Sequence, residues 1–410
     1  VQVSFDLQGT QFTPNEYKPY SQKWEDVDKQ LLKPENTQFG EHLSLTNPFR
    51  PETKQAYNSE MNFEEKIICA FQVLKKKMAW NGRYQLYSKE LEKVIKKGSG
   101  SNADLNFILI SILKDFGLEA YPVVMSRRSS GMLPYNFPSL QKLKTFFVAI
   151  HDINKQKYVF LDSSMDVPAF NILPLELSVN KARMLSLKEK EEKKWVNVMA
   201  LSHNKSFMKI DARIEGNQVK GHRSTVLYGQ EAIEYQANEN HKQDNLVSNP
   251  ENKVSQKEKL TVTNLKVKKQ ENDWALIEEE FDFVLQADRT DDHLYINPML
   301  FPQLKSNPFI QTERVLPIEF PYPYKFTMLS TLTLPEGYEV EELPQSQSIR
   351  SEGDGLQCKY MIQQQGNTIL LNYVFHLKGY IFLSEQYKQL QELWAKVIEK
   401  NNALIVLKKI

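Results

Sequence analysis

The stretch "GSGSNADLNFILISILKDFGLEAYPVVMSRR" (Gly98–Arg128) decides how this chain is read. A small polar turn leads into a helical run. From Leu105 to Phe116 the apolar residues surround the helix axis instead of marking one face, which describes a helix buried inside its domain. Gly117 suits a left-handed C-terminal cap, and "LEAYPVVMS" then reads as a strand. Many enzymes hold a nucleophile in such a frame, because the helix dipole favours an anion in the first turn. Here the pivotal position is Asn102, whose side chain cannot attack. Asparagine is a strong N-cap residue, so Asn102 is expected to cap the helix, with Ser99 and Ser101 in the capping turn.

The flanks predict the rest of the core. "QKWEDVDKQLLK" (Gln22–Lys33) reads as a short helix. A stronger one follows Asn62, an N-cap with Glu65 at the capping-box position. Its Phe63, Ile67, Phe71, Leu74 and Met78 recur every three or four residues as one buried stripe. "TFFVAIHD", the turn "INKQK" and "YVFLD" read as an antiparallel hairpin. A buried helix on an antiparallel sheet is an α+β core, assigned to residues 26–194. Residues 1–25 read as a strand, "VQVSFDLQG", and a connector, the tail of a preceding β-rich domain whose earlier part lies upstream.

Beyond the charged "SLKEKEEKKW" the pattern changes to regular strands with turn signals, predicting an antiparallel β-sandwich over residues 195–410. It is expected to close with an amphipathic helix, Glu385–Lys400, docking through Leu390, Leu393, Trp394 and Val397, and with the strand "ALIVLKK".

Composition narrows the function classes. Of 410 residues, 52 are Lys or Arg and 51 Asp or Glu, so a net charge of +1 supplies no field for steering toward nucleic acid. The basic "LKVKK" alternates with apolar residues and reads as a solvated strand face. The most apolar stretch, Phe107–Leu113, is far below the roughly 20 residues that span a bilayer. Cys69 and Cys358 show no metal spacing, the histidines make no HxxxH pair, and "DRTDDH" (Asp288–His293) lacks the glycine and distal glutamate of a calcium loop. No metal and no cofactor are expected.

The order helix, strand, strand is the order in which a papain-like site places its thiol, its imidazole and its orienting carboxylate. In that order, and in "FFVAIHDINKQKYVFLDSS", "LYINPML", "NPFIQTERVLPIEFPYPY" and "LPEGYEVEELP", the chain resembles the transglutaminase-like proteins of Gram-negative bacteria, whose papain-like core lies between β-rich domains of unknown function. The resemblance covers almost the whole chain. It implies that the family's cysteine position falls on Asn102, its histidine position on Phe146 and its aspartate position on Asp162. Catalytic residues would then be absent, the two groups that do chemistry having been replaced. It also implies a location in the periplasm or at the cell surface.

Three functions follow as expectations. The first is a catalytically inactive transglutaminase-fold protein that binds or scaffolds, with a peptide, a glycan or an envelope protein as partner. The second is a hydrolase or acyltransferase without cysteine, using Ser99 or Ser101 or another cleft; it needs an imidazole within hydrogen-bond reach of a serine. The third is a spacer whose partners bind the sandwich. Trp80 reads as a packing residue or the lining of a groove. Arg127 and Arg128 read as surface arginines or a grip for a carboxylate or sugar acid.

Overall fold

The computed structural model of this protein describes residues 9–13, 16–19, 23–33, 38–133, 135–186, 188–190, 194–201, 203–244, 260–270 and 273–410. Of the strand expected at "VQVSFDLQG", all but Gly9 lies outside them. Gly9 begins β1 (Gly9–Thr13), which pairs with β2 (Glu16–Pro19). The chain divides into two units, residues 1–201 and 202–410.

In the first unit, α1 (Trp24–Leu32), α2 (Gln38–Leu43) and α3 (Arg50–Ala56) precede α4 (Phe63–Lys77). The expected capping box starts α4: the Asn62 side chain accepts from the Glu65 amide at 3.0 Å and the Asn62 amide donates to Glu65 at 2.8 Å. The two-residue strand β3 (Ala79–Trp80), then α5 (Leu91–Lys97) and β4 (Ser99–Gly100), lead to α6 (Asn102–Asp115). Every residue of α6 from Asn102 to Leu113 is buried. Its end is sealed by Gly117 at φ 75°, with the Leu118 amide bonded to the Leu113 carbonyl and the Gly117 amide to the Lys114 carbonyl.

The helix packs on β5 (Glu119–Met125) and β6 (Thr145–Asp152). With β7 (Lys157–Leu161), β8 (Lys181–Met184) and β9 (Trp195–Asn197) these form an antiparallel sheet in the order β7-β6-β5-β8-β9. Residues of β6 alternate between two buried clusters. Phe146, Val148 and Ile150 join the helices, while Phe147 and Ala149 join the other face. Because β9 extends this sheet, the break expected at residues 194/195 falls at 201/202.

The second unit runs β10 (Asn204–Glu215), β11 (Gln218–Tyr228), α7 (Gln230–Asp244), β12 (Leu260–Gln270), β13 (Asp273–Gln286), β14 (Asp288–Thr290), β15 (His293–Ile296), β16 (Ile318–Glu319), β17 (Tyr324–Thr333), β18 (Tyr338–Glu342), β19 (Gln347–Arg350), β20 (Leu356–Gln365), β21 (Thr368–Leu377), β22 (Ile381–Phe382), α8 (Tyr387–Asn401) and β23 (Ile405–Lys409). Among the described residues one sheet has the order β12-β13-β11-β10-β17-β21-β20-β19 and a smaller one the order β14-β15-β23-β18. Residues of both sheets and of α8 share one buried cluster. The expectation of a wholly antiparallel arrangement is corrected at one place, since β10 and β17 run parallel. Helix α7 was also not legible. "QEAIEYQANENHKQD" has no apolar stripe to mark it, and its first amide is held by the Asn204 side chain at 2.8 Å.

Candidate functional site

The site grows from the first turn of α6. The N-cap is Ser101, one residue earlier than expected. Its hydroxyl donates to Asp104 Oδ2 at 2.7 Å and accepts from the Asp104 amide at 3.3 Å, and its own amide donates to the same carboxylate oxygen at 2.7 Å. Asn102 is therefore the first helical residue. Its side chain points away from the cap and into the protein, and its backbone amide donates to the Arg83 carbonyl at 3.0 Å.

Asn102 is fully buried and its amide is saturated. The side-chain oxygen accepts from the Gln85 amide at 3.0 Å. The side-chain nitrogen donates to Thr145 Oγ1 at 2.7 Å and to the Phe146 carbonyl at 3.1 Å, with Asp162 Oδ2 at 3.4 Å. The side chain that meets Asn102 from β6 is thus Thr145, and the expectation that Phe146 faces it is corrected. The Phe146 ring lies 4.8 Å from the Phe107 ring and 5.1 Å from that of Phe39, inside the helical core. Successive side chains along a strand point to opposite faces, so one residue of register decides which group reaches the helix terminus.

Asp162 completes the cluster just beyond β7. One carboxylate oxygen accepts from the Ser164 amide at 2.9 Å and from the Ser164 hydroxyl. The other accepts from Asn106 Nδ2 at 3.0 Å. Asn106 also donates to the Phe146 carbonyl at 2.8 Å and accepts from the Ser163 amide at 2.9 Å. Burial pushes the Asp162 carboxyl above its ordinary range, against the donors from Ser164, Asn106 and Asn102 that pull it down. Lys75 is the nearby cation, its ammonium 3.2 Å from the Ser163 carbonyl; burial pushes its pKa down while Asp166 and Asp162 push it up. Asn106, four residues after Asn102 on the same helix face, carried a readable signal. Thr145 and Ser164 carried none.

The other candidates lie around this cluster. Trp80 and Gly100 are paired in β3 and β4, as are Ala79 and Ser99. The Trp80 indole donates to the Arg83 carbonyl at 3.1 Å, and its ring lies 5.1 Å from Tyr84. The Tyr84 hydroxyl is 3.2 Å from Ser164 Oγ, and its pKa is pushed up, first by burial. Gly100 is a true close approach, because a Cβ there would stand 2.6 Å from Val94 Cγ1. Arg127 follows the Met125–Thr145 pair by two residues and stands 3.8 Å from Glu176. Arg128 opens the short turn Arg128–Ser130 and is half-buried.

This arrangement is a buried hydrogen-bond network. An amide, an alcohol and a buried carboxylate lack a nucleophile–base pair. The histidines of the first unit are His42 and His151. The first bonds the Ser88 carbonyl at 3.0 Å and the second stacks on Tyr158 at 4.8 Å, so neither serves Ser99 or Ser101. Cys69 is a quiet thiol whose pKa is raised by burial. Among the described residues no three His, Cys, Asp or Glu side chains group as metal ligands, and no helix is long and apolar enough to cross a membrane.

The fold is thus mixed α+β with a β-rich C-terminal region, and its comparisons agree with that class. Residues 292–407 match DUF3858, described as a domain of unknown function with a solved structure. The search of curated proteins found no match. Among solved structures the chain is similar to one from Parabacteroides distasonis described as a "putative protease", with a TM-score of 0.51, 13% identity, and coverage of 90% of this chain and 57% of that one. At that identity the likeness concerns the fold, and this chain spans a little over half of the neighbour's length.

Proposed function

We propose that the first unit is a transglutaminase-like core whose catalytic positions have become a structural hydrogen-bond network, and that the protein binds or scaffolds in the cell envelope. The nucleophile position is read at Asn102, the imidazole position at Thr145 and the carboxylate position at Asp162. The observation that carries this reading is the state of Asn102: no solvent exposure, and an amide occupied on both ends by Gln85, Thr145 and Phe146. A substrate has neither a nucleophile to meet there nor an unsatisfied donor to bind. The likeness to a protease-like fold supports the ancestry. A peptide, a glycan or an envelope protein remains the class of partner, and the envelope location follows the family resemblance.

The purified protein should incorporate no amine into glutamine-containing peptides and hydrolyse no peptide, with or without calcium. Turnover that disappears in Ser101→Ala, with the helix still folded, would sink the inactive reading and promote a serine enzyme.

A further inference from the structure

The second unit holds a feature that the reading above does not use and that does not depend on it. Where β12 and β13 meet the loop after β15, a cavity of about 510 Å³ opens. That lies within the roughly 300–1,000 Å³ common for small-molecule sites. One wall carries the Arg223 guanidinium, stacked between two rings, its central carbon 4.4 Å from the Phe281 centroid and 4.9 Å from that of Phe301. Arg223 pairs with Glu279, which also accepts from the Tyr235 hydroxyl at 2.7 Å. Yet Arg223 Nε bonds to no acceptor, so the Glu279 pair does not exhaust the guanidinium. Buried donors normally find acceptors, so an unbonded guanidinium nitrogen on a residue that lines a cavity points to a ligand that brings an acceptor.

The remaining walls define the ligand. Leu260, Leu285, Leu300 and Phe301 give an apolar surface for a side chain. Lys305 adds a second cation at the exposed rim, where the Asp288 carboxylate can accept an N–H, and Gln286 brings an amide suited to a peptide group. The loop is held in shape before any ligand arrives. Leu300 sits at φ 57°, a left-handed conformation uncommon for a residue with a Cβ, and strain of this kind concentrates at functional sites. Asn297 fixes the loop by accepting from the Met299 amide at 2.8 Å and donating to the Asn401 carbonyl at 2.6 Å.

We propose that this cavity binds the carboxylate end of a short peptide, with Arg223 holding the carboxylate and Leu260, Leu285 and Phe301 holding the terminal side chain. A guanidinium grips a carboxylate through paired N–H donors, and a stacked, pre-oriented one loses little freedom on doing so.

The test is titration calorimetry of the full chain with N-acetyl-Ala-Ala-Phe and with its C-terminal amide. The acid should bind saturably and the amide at least tenfold more weakly, because the charge-assisted contact is lost. Arg223→Lys should weaken the acid by a similar factor. Leu260→Trp leaves the Arg223–Glu279 pair in place, fills the cavity and should abolish binding with an unchanged melting curve. Should Arg223→Lys fail to fold, the amide and Leu260→Trp still decide. The proposal is overturned if the acid does not bind at millimolar concentration, if acid and amide bind equally, or if the Leu260→Trp protein binds as the wild type does.

Discussion

In the proposed reading Asn102 occupies the seat of a nucleophile, at a helix N-terminus beside a strand residue and a buried carboxylate. The double change Asn102→Cys with Thr145→His tests whether that place still carries its physics. The Thr145 hydroxyl is 2.7 Å from the Asn102 amide nitrogen, so an imidazole at 145 would stand beside a thiol at 102. The helix end contributes roughly 0.3–1 kcal/mol toward the thiolate, and the imidazolium more. A ring larger than threonine costs about 1–3 kcal/mol in a packed site. Iodoacetamide should alkylate the double variant at pH 6 at least tenfold faster than Asn102→Cys alone, and Asn102→Cys with Phe146→His should show no such gain. Equal rates in folded proteins would remove the triad correspondence. Asp162 gives a second test. Its folded pKa is raised while the unfolded carboxyl titrates near about 3.9. The folded state thus holds its proton more tightly, and the stability gained is present below about pH 4 and lost as pH rises through the folded pKa. Asp162→Asn replaces one accepting oxygen with an NH2 that faces either the asparagine donors or those of Ser164, and should cost about 2–4 kcal/mol. Urea unfolding should find that cost greater at pH 4 than at pH 7, and the opposite trend would reverse the assigned direction.

Elements are held together by a charge cluster that no sequence pattern announced. Arg183 of β8 has no solvent exposure and bonds Asp28 of α1 through two nitrogens, at 2.6 and 2.7 Å. Lys194 reaches the same carboxylate at 3.1 Å, and the rings of Trp24 and Trp195 flank the guanidinium at 5.7 and 5.0 Å. Asp28→Asn strands a buried cation and should destabilise the first unit by about 3–5 kcal/mol. Tryptophan fluorescence in urea would report it directly through Trp24 and Trp195. A shift smaller than about 1 kcal/mol would mean that water replaces the carboxylate there. The helices α4, α6 and α8 and the hairpin β6–β7 were legible because each carries a periodic apolar pattern, a cap or a turn of its own. Helix α7 was not, being polar nearly all round, and neither was the parallel step from β10 to β17, which rests on pairing across more than a hundred residues.

At the scale of the molecule, each unit has its own buried core: the helical and sheet clusters lie within residues 1–201, and the cluster of the two sheets with α8 lies within 202–410. Residues 202–410 expressed alone should therefore unfold cooperatively in urea, and Asp28→Asn in the full chain should leave that transition where it stands. A non-cooperative profile for the isolated segment would tie its stability to the first unit. By itself the sequence determined the patterned elements, among them the buried central helix with its glycine stop, because propensity, capping and apolar period are properties of neighbouring residues. It could not place Thr145 rather than Phe146 against Asn102. The two are adjacent in the chain; Phe146 turns with Val148 and Ile150 into the helical core, and Thr145 reaches Asn102 because the start of β6 lies beside the first turn of α6. The Asp28–Arg183 pair and the Arg223 cavity were likewise decided by tertiary structure alone, since burial is what gives a charge its partner or leaves a donor without one.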